Sequence, residues 1–189
     1  MKPVLMIHEV DEWMFNLPLH NYTLTFDDGL YTQYHHLDRI RSIETDKIFF
    51  ISTGIIATEN TEQSATFIKS HVAHRDFFKC GDLSHYMKWS QIQEIHHTPD
   101  CYIGGHSHGH IYKPTLKQII HDTNRMIDMF NKHNIEITSF GFPYNDELPM
   151  YRSILHNKGV KKFYGEERID IYDICDNEHT CKKMYQITC

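Results

Sequence analysis

Two short segments of this 189-residue chain carry side chains that could work together on a polar bond. The first is Asp27-Asp28-Gly29. Neighbouring residues on a strand point to opposite faces, so adjacent carboxylates share a site only where the strand ends and the chain turns. Gly29 gives the backbone freedom for that turn. One carboxylate can then bind a metal while the other takes a proton. The same residues also read as a solvated Asp-Gly turn, with an aspartate capping the next helix. The second segment is His106-Ser107-His108-Gly109-His110. Histidines four residues apart lie on one face of a helical turn and can share one ion, which leaves His108 pointing elsewhere. Two neutral imidazoles and a carboxylate are a ligand set typical of zinc, and three protein ligands leave positions for water and substrate. Cobalt or nickel suits the same donors. With 16 histidines in the chain, an i,i+4 pair also arises by chance.

Two weaker signals accompany these. Phe140-Gly141-Phe142-Pro143-Tyr144-Asn145 could be a rigid loop with a backbone N–H aimed at a developing oxyanion, or a plain aromatic turn. His8 is a lone histidine after an apolar run, and as such reads equally as a satisfied rim residue. Gly104, Gly105, Gly109 and Gly141 surround the histidine cluster, which suits close approach of backbone or ligand.

These residues need elements to hold them. Pro3–Ile7, Tyr22–Phe26, Lys47–Ser52, Cys101–Ile103, Ile135–Phe140 and Val160–Tyr164 read as strands. Helical spacing recurs at Leu30, Tyr34, Leu37 and Ile40, over Thr61–His74, from a Ser90/Gln93 capping box to about His97, and from Pro114 to about His133. Pro149 opens a last helix that Gly159 ends. Alternating strands and helices predict an α/β fold with mainly parallel strands and outer helices. At this length a shortened or distorted (β/α) barrel is expected, as one domain over residues 1–189. Active sites in such folds lie beyond the C-terminal strand ends. His8, Asp27-Asp28, His106/His110 and Pro143-Tyr144 each follow a strand signal.

Composition narrows the function classes. The net charge of −6 and the lack of a dense Lys/Arg tract argue against nucleic acid as a partner. No apolar run approaches the roughly 18–20 residues of a membrane span, and the first residues do not read as an export signal, so a cytoplasmic chain is expected. Five cysteines without an export signal favour free thiols. Cys175, Cys181 and Cys189 flank His179 in a spacing that matches no zinc pattern.

Taken together, the motifs resemble a known family. Thr25-Phe26-Asp27-Asp28-Gly29 looks like the first motif of the polysaccharide deacetylases, the NodB-homology or carbohydrate esterase 4 type. His106-Ser107-His108-Gly109-His110 looks like the second, and Phe142-Pro143-Tyr144 resembles the third. Tyr86–Ser90 and Tyr164–Ile169 resemble intervening and following segments, so the likeness runs from about Val4 to Ile169. It implies a divalent ion, zinc by default, held by Asp28, His106 and His110. Asp27 would be the general base, and the Tyr144 backbone N–H an oxyanion donor. The family's usual acid histidine, in a C-terminal Leu-x-His motif, has no counterpart after Tyr164. Val4-Leu5-Met6-Ile7-His8 is similar to a permuted arrangement, which assigns the acid to His8. The third motif lacks the family's frequent arginine, leaving Arg168 as the candidate to orient Asp27. The implied substrate is an N-acetylated sugar or glycan. Two alternatives stay open: an amidase acting on a non-sugar C–N bond, and an inactive metal- or carbohydrate-binding module. The oligomeric state is not legible.

Overall fold

The computed structural model describes residues 2–174. Seven strands form one parallel sheet: β1 (Val4–Ile7), β2 (Thr23–Phe26), β3 (Lys47–Ile51), β4 (Cys101–Gly105), β5 (Ser139–Gly141), β6 (Lys162–Tyr164) and β7 (Ile169–Asp170). Their order is β6-β5-β4-β3-β2-β1-β7, so each strand from β1 to β6 lies beside its predecessor, as in a barrel. The sheet curls into a half-barrel with helices outside, which is the expected distorted (β/α) barrel.

The two faces of the sheet differ because strand side chains alternate. Leu24, Phe26, Phe49 and Ile51 point outward into the main core, against Leu37, Ile40, Ile92 and Ile95 of the helices. Each such buried side chain contributes about 1.5–3 kcal/mol. Thr25 and Phe50 point inward, where Arg168 fills the hollow: its guanidinium carbon is 5.7 Å from the Phe50 ring centre, and Nη1 is 3.3 Å from Thr25 Oγ1. Phe50 explains two of the glycines. A Cβ on Gly104 or Gly141 would stand 2.6 or 2.8 Å from its ring atoms. These two glycines make room for a side chain of the sheet, where close approach of backbone or ligand was expected.

The helices are α1 (Tyr31–His35), α2 (Leu37–Arg41), α3 (Ser70–Cys80), α4 (Trp89–His96), α5 (Leu116–Lys132) and α6 (Pro149–Asn157). Several boundaries differ from expectation. The apolar spacing from Leu30 to Ile40 is split at His36 into α1 and α2. The helix expected over Thr61–His74 begins only at Ser70, because the preceding residues spend their polar groups across the chain: Ser64 N–H donates to Ser84 O, and Gln63 Nε2 to Tyr86 O. The cap of α4 is Lys88, not Ser90. Lys88 N–H donates to Gln91 Oε1 at 2.9 Å, while Ser90 Oγ is bound by Glu59. Pro114 precedes the true cap of α5, Thr115, whose N–H meets Gln118 Oε1 at 2.9 Å. The strand expected from Ile135 is paired only over Ser139–Gly141, although Ile135 and Ile137 are buried. Among the described residues, no helix is long and apolar enough to cross a membrane. Cys175, His179, Cys181 and Cys189 lie outside the described residues.

Candidate metal centre

The ends of β1, β2, β4 and β5 converge on one spot. After Phe26 the chain leaves the sheet through Asp28 (φ 74°) and Gly29 (φ 74°). Left-handed backbone turns both carboxylates to one side, which a continuing strand would forbid. At Gly29 the conformation suits a residue without a side chain, and Ile51 Cδ1 would lie 3.3 Å from any Cβ. Asp27 and Asp28 are each 1% exposed.

His106 and His110 meet Asp28 there, but not on a helical turn as the spacing suggests. Ser107 (φ 65°) and His110 (φ 49°) are left-handed, and the segment is a tight loop. Its hydrogen bonds account for its shape. Ser52 Oγ donates to His106 O at 2.9 Å, Gly54 N–H to His108 O at 2.8 Å, and His110 N–H to Ser107 Oγ at 2.7 Å. Asp122 of α5 accepts from the N–H groups of both His108 and Gly109 at 2.8 Å. His108 turns away, as expected, with Nδ1 2.9 Å from Thr53 Oγ1.

The donor atoms of Asp28, His106 and His110 all lie within 4.8 Å of one another. Asp28 Oδ1 is 3.3 Å from His106 Nε2 and 3.2 Å from His110 Nε2. A tetrahedral ion with bonds of about 2.0–2.1 Å separates its ligands by roughly 3.3 Å. Hydrogen-bond chemistry makes the same point. His106 Nδ1 is 2.7 Å from the Gly141 carbonyl, which can only accept, so the proton sits on Nδ1 and the Nε2 lone pair faces Asp28. Asp28 Oδ1 is buried and no N–H is aimed at it. A buried carboxylate oxygen facing two imidazole nitrogens with no aligned hydrogen bond is an environment that a cation satisfies. The residues therefore fit a divalent ion.

Electrostatics separate the two carboxylates. Burial alone would raise Asp27, but the Arg168 guanidinium, His106 and His8 outweigh it and hold the carboxyl below its usual range. Arg168 Nη1 is 2.7 Å from Asp27 Oδ1, and its Nη2 is 2.7 Å from Asn145 Oδ1. Burial also opposes ionisation of Asp28, and His110, His106 and His74 hold it well below that range. His106 is raised: burial would lower it, but Asp27 and Asp28 prevail. His110 is lowered, chiefly by burial.

The remaining expected residues sit on the rim. His8 follows β1 and is half-buried; Ile7 pairs with Phe26, so His8 and Asp27 leave the sheet side by side. Tyr144 is left-handed (φ 59°) and 54% exposed, with its ring 4.7 Å from His110 and 4.9 Å from Tyr112. Tyr112 stands at this rim, whereas Trp89 stacks on His133 at 3.8 Å and Tyr31 packs on Tyr34.

Three contributors were not legible in the sequence. Gln33, fully buried, donates from Nε2 to the carbonyls of both His8 and Asp27 at 2.6 Å and ties the two strand ends. Asp122 is the one charged residue among the buried positions of α5, which is a faint signal. His74 stands 3.1 Å from Asp28 Oδ2 with its ring stacked 4.3 Å from His110, and nothing local marks it among so many histidines.

No protein-family model matches the sequence, and no curated protein matches it. Solved structures do share the fold. IcaB from Ammonifex degensii superposes with a TM-score of 0.62 at 14% identity, over 97% of this chain and 95% of that one. A de-N-acetylase from Aggregatibacter actinomycetemcomitans gives 0.64 at 12% identity, over 96% and 98%. The BpsB deacetylase domain from Bordetella bronchiseptica gives 0.61 at 13%, over 87% and 88%. At these identities the likeness is one of fold: the chain has the NodB/carbohydrate esterase 4 deacetylase fold.

Proposed function

Starting from a chain with the polysaccharide-deacetylase fold, we propose that it is a metal-dependent N-deacetylase acting on an N-acetylated sugar or glycan. One observation carries the reading: an acceptor-lined cradle of Asp28, His106 and His110 adjoins a second carboxylate, Asp27, held ionised by Arg168. A binding module needs the cradle but not the second carboxylate. Names of structures with the same fold, a de-N-acetylase and a deacetylase domain, support the reaction class.

Asp28 Oδ1, His106 Nε2 and His110 Nε2 would hold the ion, zinc by default, with cobalt or nickel suited to the same donors. When bound it supplies Lewis acidity toward the acetyl carbonyl and an acidified water. Asp27 Oδ2 is 4.0 Å from His106 Nε2, so its free oxygen faces the cradle while Oδ1 is taken by Arg168. Asp27 accepts the water's proton as C–O bond formation proceeds. The Tyr144 backbone N–H donates to the oxyanion. His8 protonates the departing amine, and acetate is released. Tyr112 and Tyr144 offer exposed ring faces beside the cradle, which suits a pyranose. The proposal includes a cytoplasmic location and a soluble, nucleotide-linked or lipid-linked sugar.

Acetate release from N-acetylglucosamine oligomers and from a nucleotide-linked N-acetyl sugar tests this. Zinc-loaded protein is expected to release acetate, chelation to stop it, and Asp27→Asn to lose about 10²–10⁴-fold. No release from either sugar, with one metal bound per chain, moves the assignment to a non-sugar amidase or to an inactive metal- or carbohydrate-binding module.

A further inference from the structure

Resting on the metal-centre reading, we propose that His74 is a positioning residue that fixes the Asp28 carboxylate from behind, with Tyr86 fixing His74 in turn. His74 Nε2 is 3.1 Å from Asp28 Oδ2, the oxygen turned away from His106 and His110. His74 Nδ1 is 3.0 Å from Tyr86 Oη. Tyr86 is fully buried and its hydroxyl is held protonated, since burial and nearby carboxylates push its ionisation far up. Asp28 Oδ2 is a carboxylate oxygen and can only accept, so the imidazole proton belongs on Nε2, facing it, and Nδ1 then accepts from the Tyr86 phenol.

His74 Nε2 is buried and lacks an aligned hydrogen-bond partner. Ligating carboxylates are commonly held by an outer hydrogen bond. His74 does not join the three-residue donor cluster itself, so its place is behind the ligand.

The element carrying His74 is docked from both sides. Ala73 packs with Leu30, Ile55 and Tyr86 in a satellite core. The N-terminus of α3 is tied to β1 through Glu9, whose carboxylate accepts from Ser70 N–H at 3.1 Å and pairs with Lys69 Nζ at 3.1 Å. Glu9 directly follows His8, so one strand end carries the proposed acid and anchors the helix that steadies the metal ligand.

Cobalt titration of the whole chain, followed by its visible absorption and by chelator competition, tests the role without using catalysis. His74→Leu is expected to weaken Co2+ binding about 10–100-fold with the ligand-field bands unmoved. His74→Gln, whose amide nitrogen reaches about the same place as Nε2, is expected to restore most of the affinity. Tyr86→Phe should weaken it by less. Circular dichroism of the metal-free variants separates a folding failure from lost binding, and the Gln and Phe variants decide the matter if the Leu variant does not fold. Unchanged affinity in all three overturns the inference alone. A shifted spectrum that Gln fails to restore makes His74 a direct ligand and also overturns it. A wild-type chain that binds no Co2+ overturns the metal-centre reading, and this inference with it.

Discussion

Arg168 Nη1 lies 2.7 Å from Asp27 Oδ1, joining the two across 141 positions of chain. Both side chains are buried, so neither charge is screened by solvent. The ion pair leaves Asp27 one free oxygen and keeps it charged.

Arg168→Gln should therefore act on both rate and pH dependence. Asp27 ionises below its usual range in the folded chain, so it stays a base down to unusually low pH. Without the guanidinium, burial pushes the carboxyl upward, and the acidic limb of kcat/KM should move to higher pH. A misplaced base costs roughly 10²-fold in rate. The same depression is a stability contribution: it is present above the unfolded carboxylate pKa and lost as pH falls through the folded one. Breaking the buried pair should cost about 3–5 kcal/mol in urea unfolding at neutral pH. A pH profile like that of the wild type would show that Arg168 does not tune Asp27.

His8→Asn separates acid catalysis from binding. An amine needs a proton to leave, whereas 4-nitrophenolate leaves without one. The variant should lose about 10²–10⁴-fold on an N-acetyl sugar and little on 4-nitrophenyl acetate. Equal losses on both would remove the acid role.

Tyr144 is proposed to act through its backbone, which has φ 59°. Glycine adopts that region without strain, so Tyr144→Gly keeps the N–H and relieves about 1–2 kcal/mol of local cost. We expect kcat to hold, the melting temperature not to fall, and KM to rise if the ring stacks on sugar. A collapse of kcat would assign the chemistry to the phenol.

Asp122 accepts two N–H groups of the histidine loop. Asn in its place keeps one acceptor and turns an NH2 against the other N–H. Zinc affinity by competition should weaken about 10–100-fold, with acetate release restored at high zinc.

Zinc should also stabilise the chain. At a hundredfold excess over Kd it contributes about 2.7 kcal/mol, roughly 5–10 °C for a domain of this size. Asp28→Asn should abolish that shift, as read by calorimetry with and without chelator.

The reactive residues were legible because each follows a strand signal, and a parallel α/β sheet gathers strand C-terminal ends at one edge. Asp27, Asp28, His106 and His110 needed only that rule to be placed together. Local patterns served less well where the tertiary structure competes for the same polar groups. Ser90 looked like a cap until Glu59 bound it, and residues 61–69 kept a helical spacing while bonding across the chain.

By itself, then, the sequence determined the alternation of strands and helices, the strand ends after which the paired carboxylates and the histidine cluster sit, and the turn at Gly29. These rest on periodicity and backbone sterics, which act over a few residues. Only the tertiary structure decided that Arg168 clamps Asp27, that Asp122 shapes the histidine loop, and that His74 backs Asp28. Each of those contacts joins residues far apart in the chain, and their partners are chosen by packing, which no local spacing encodes.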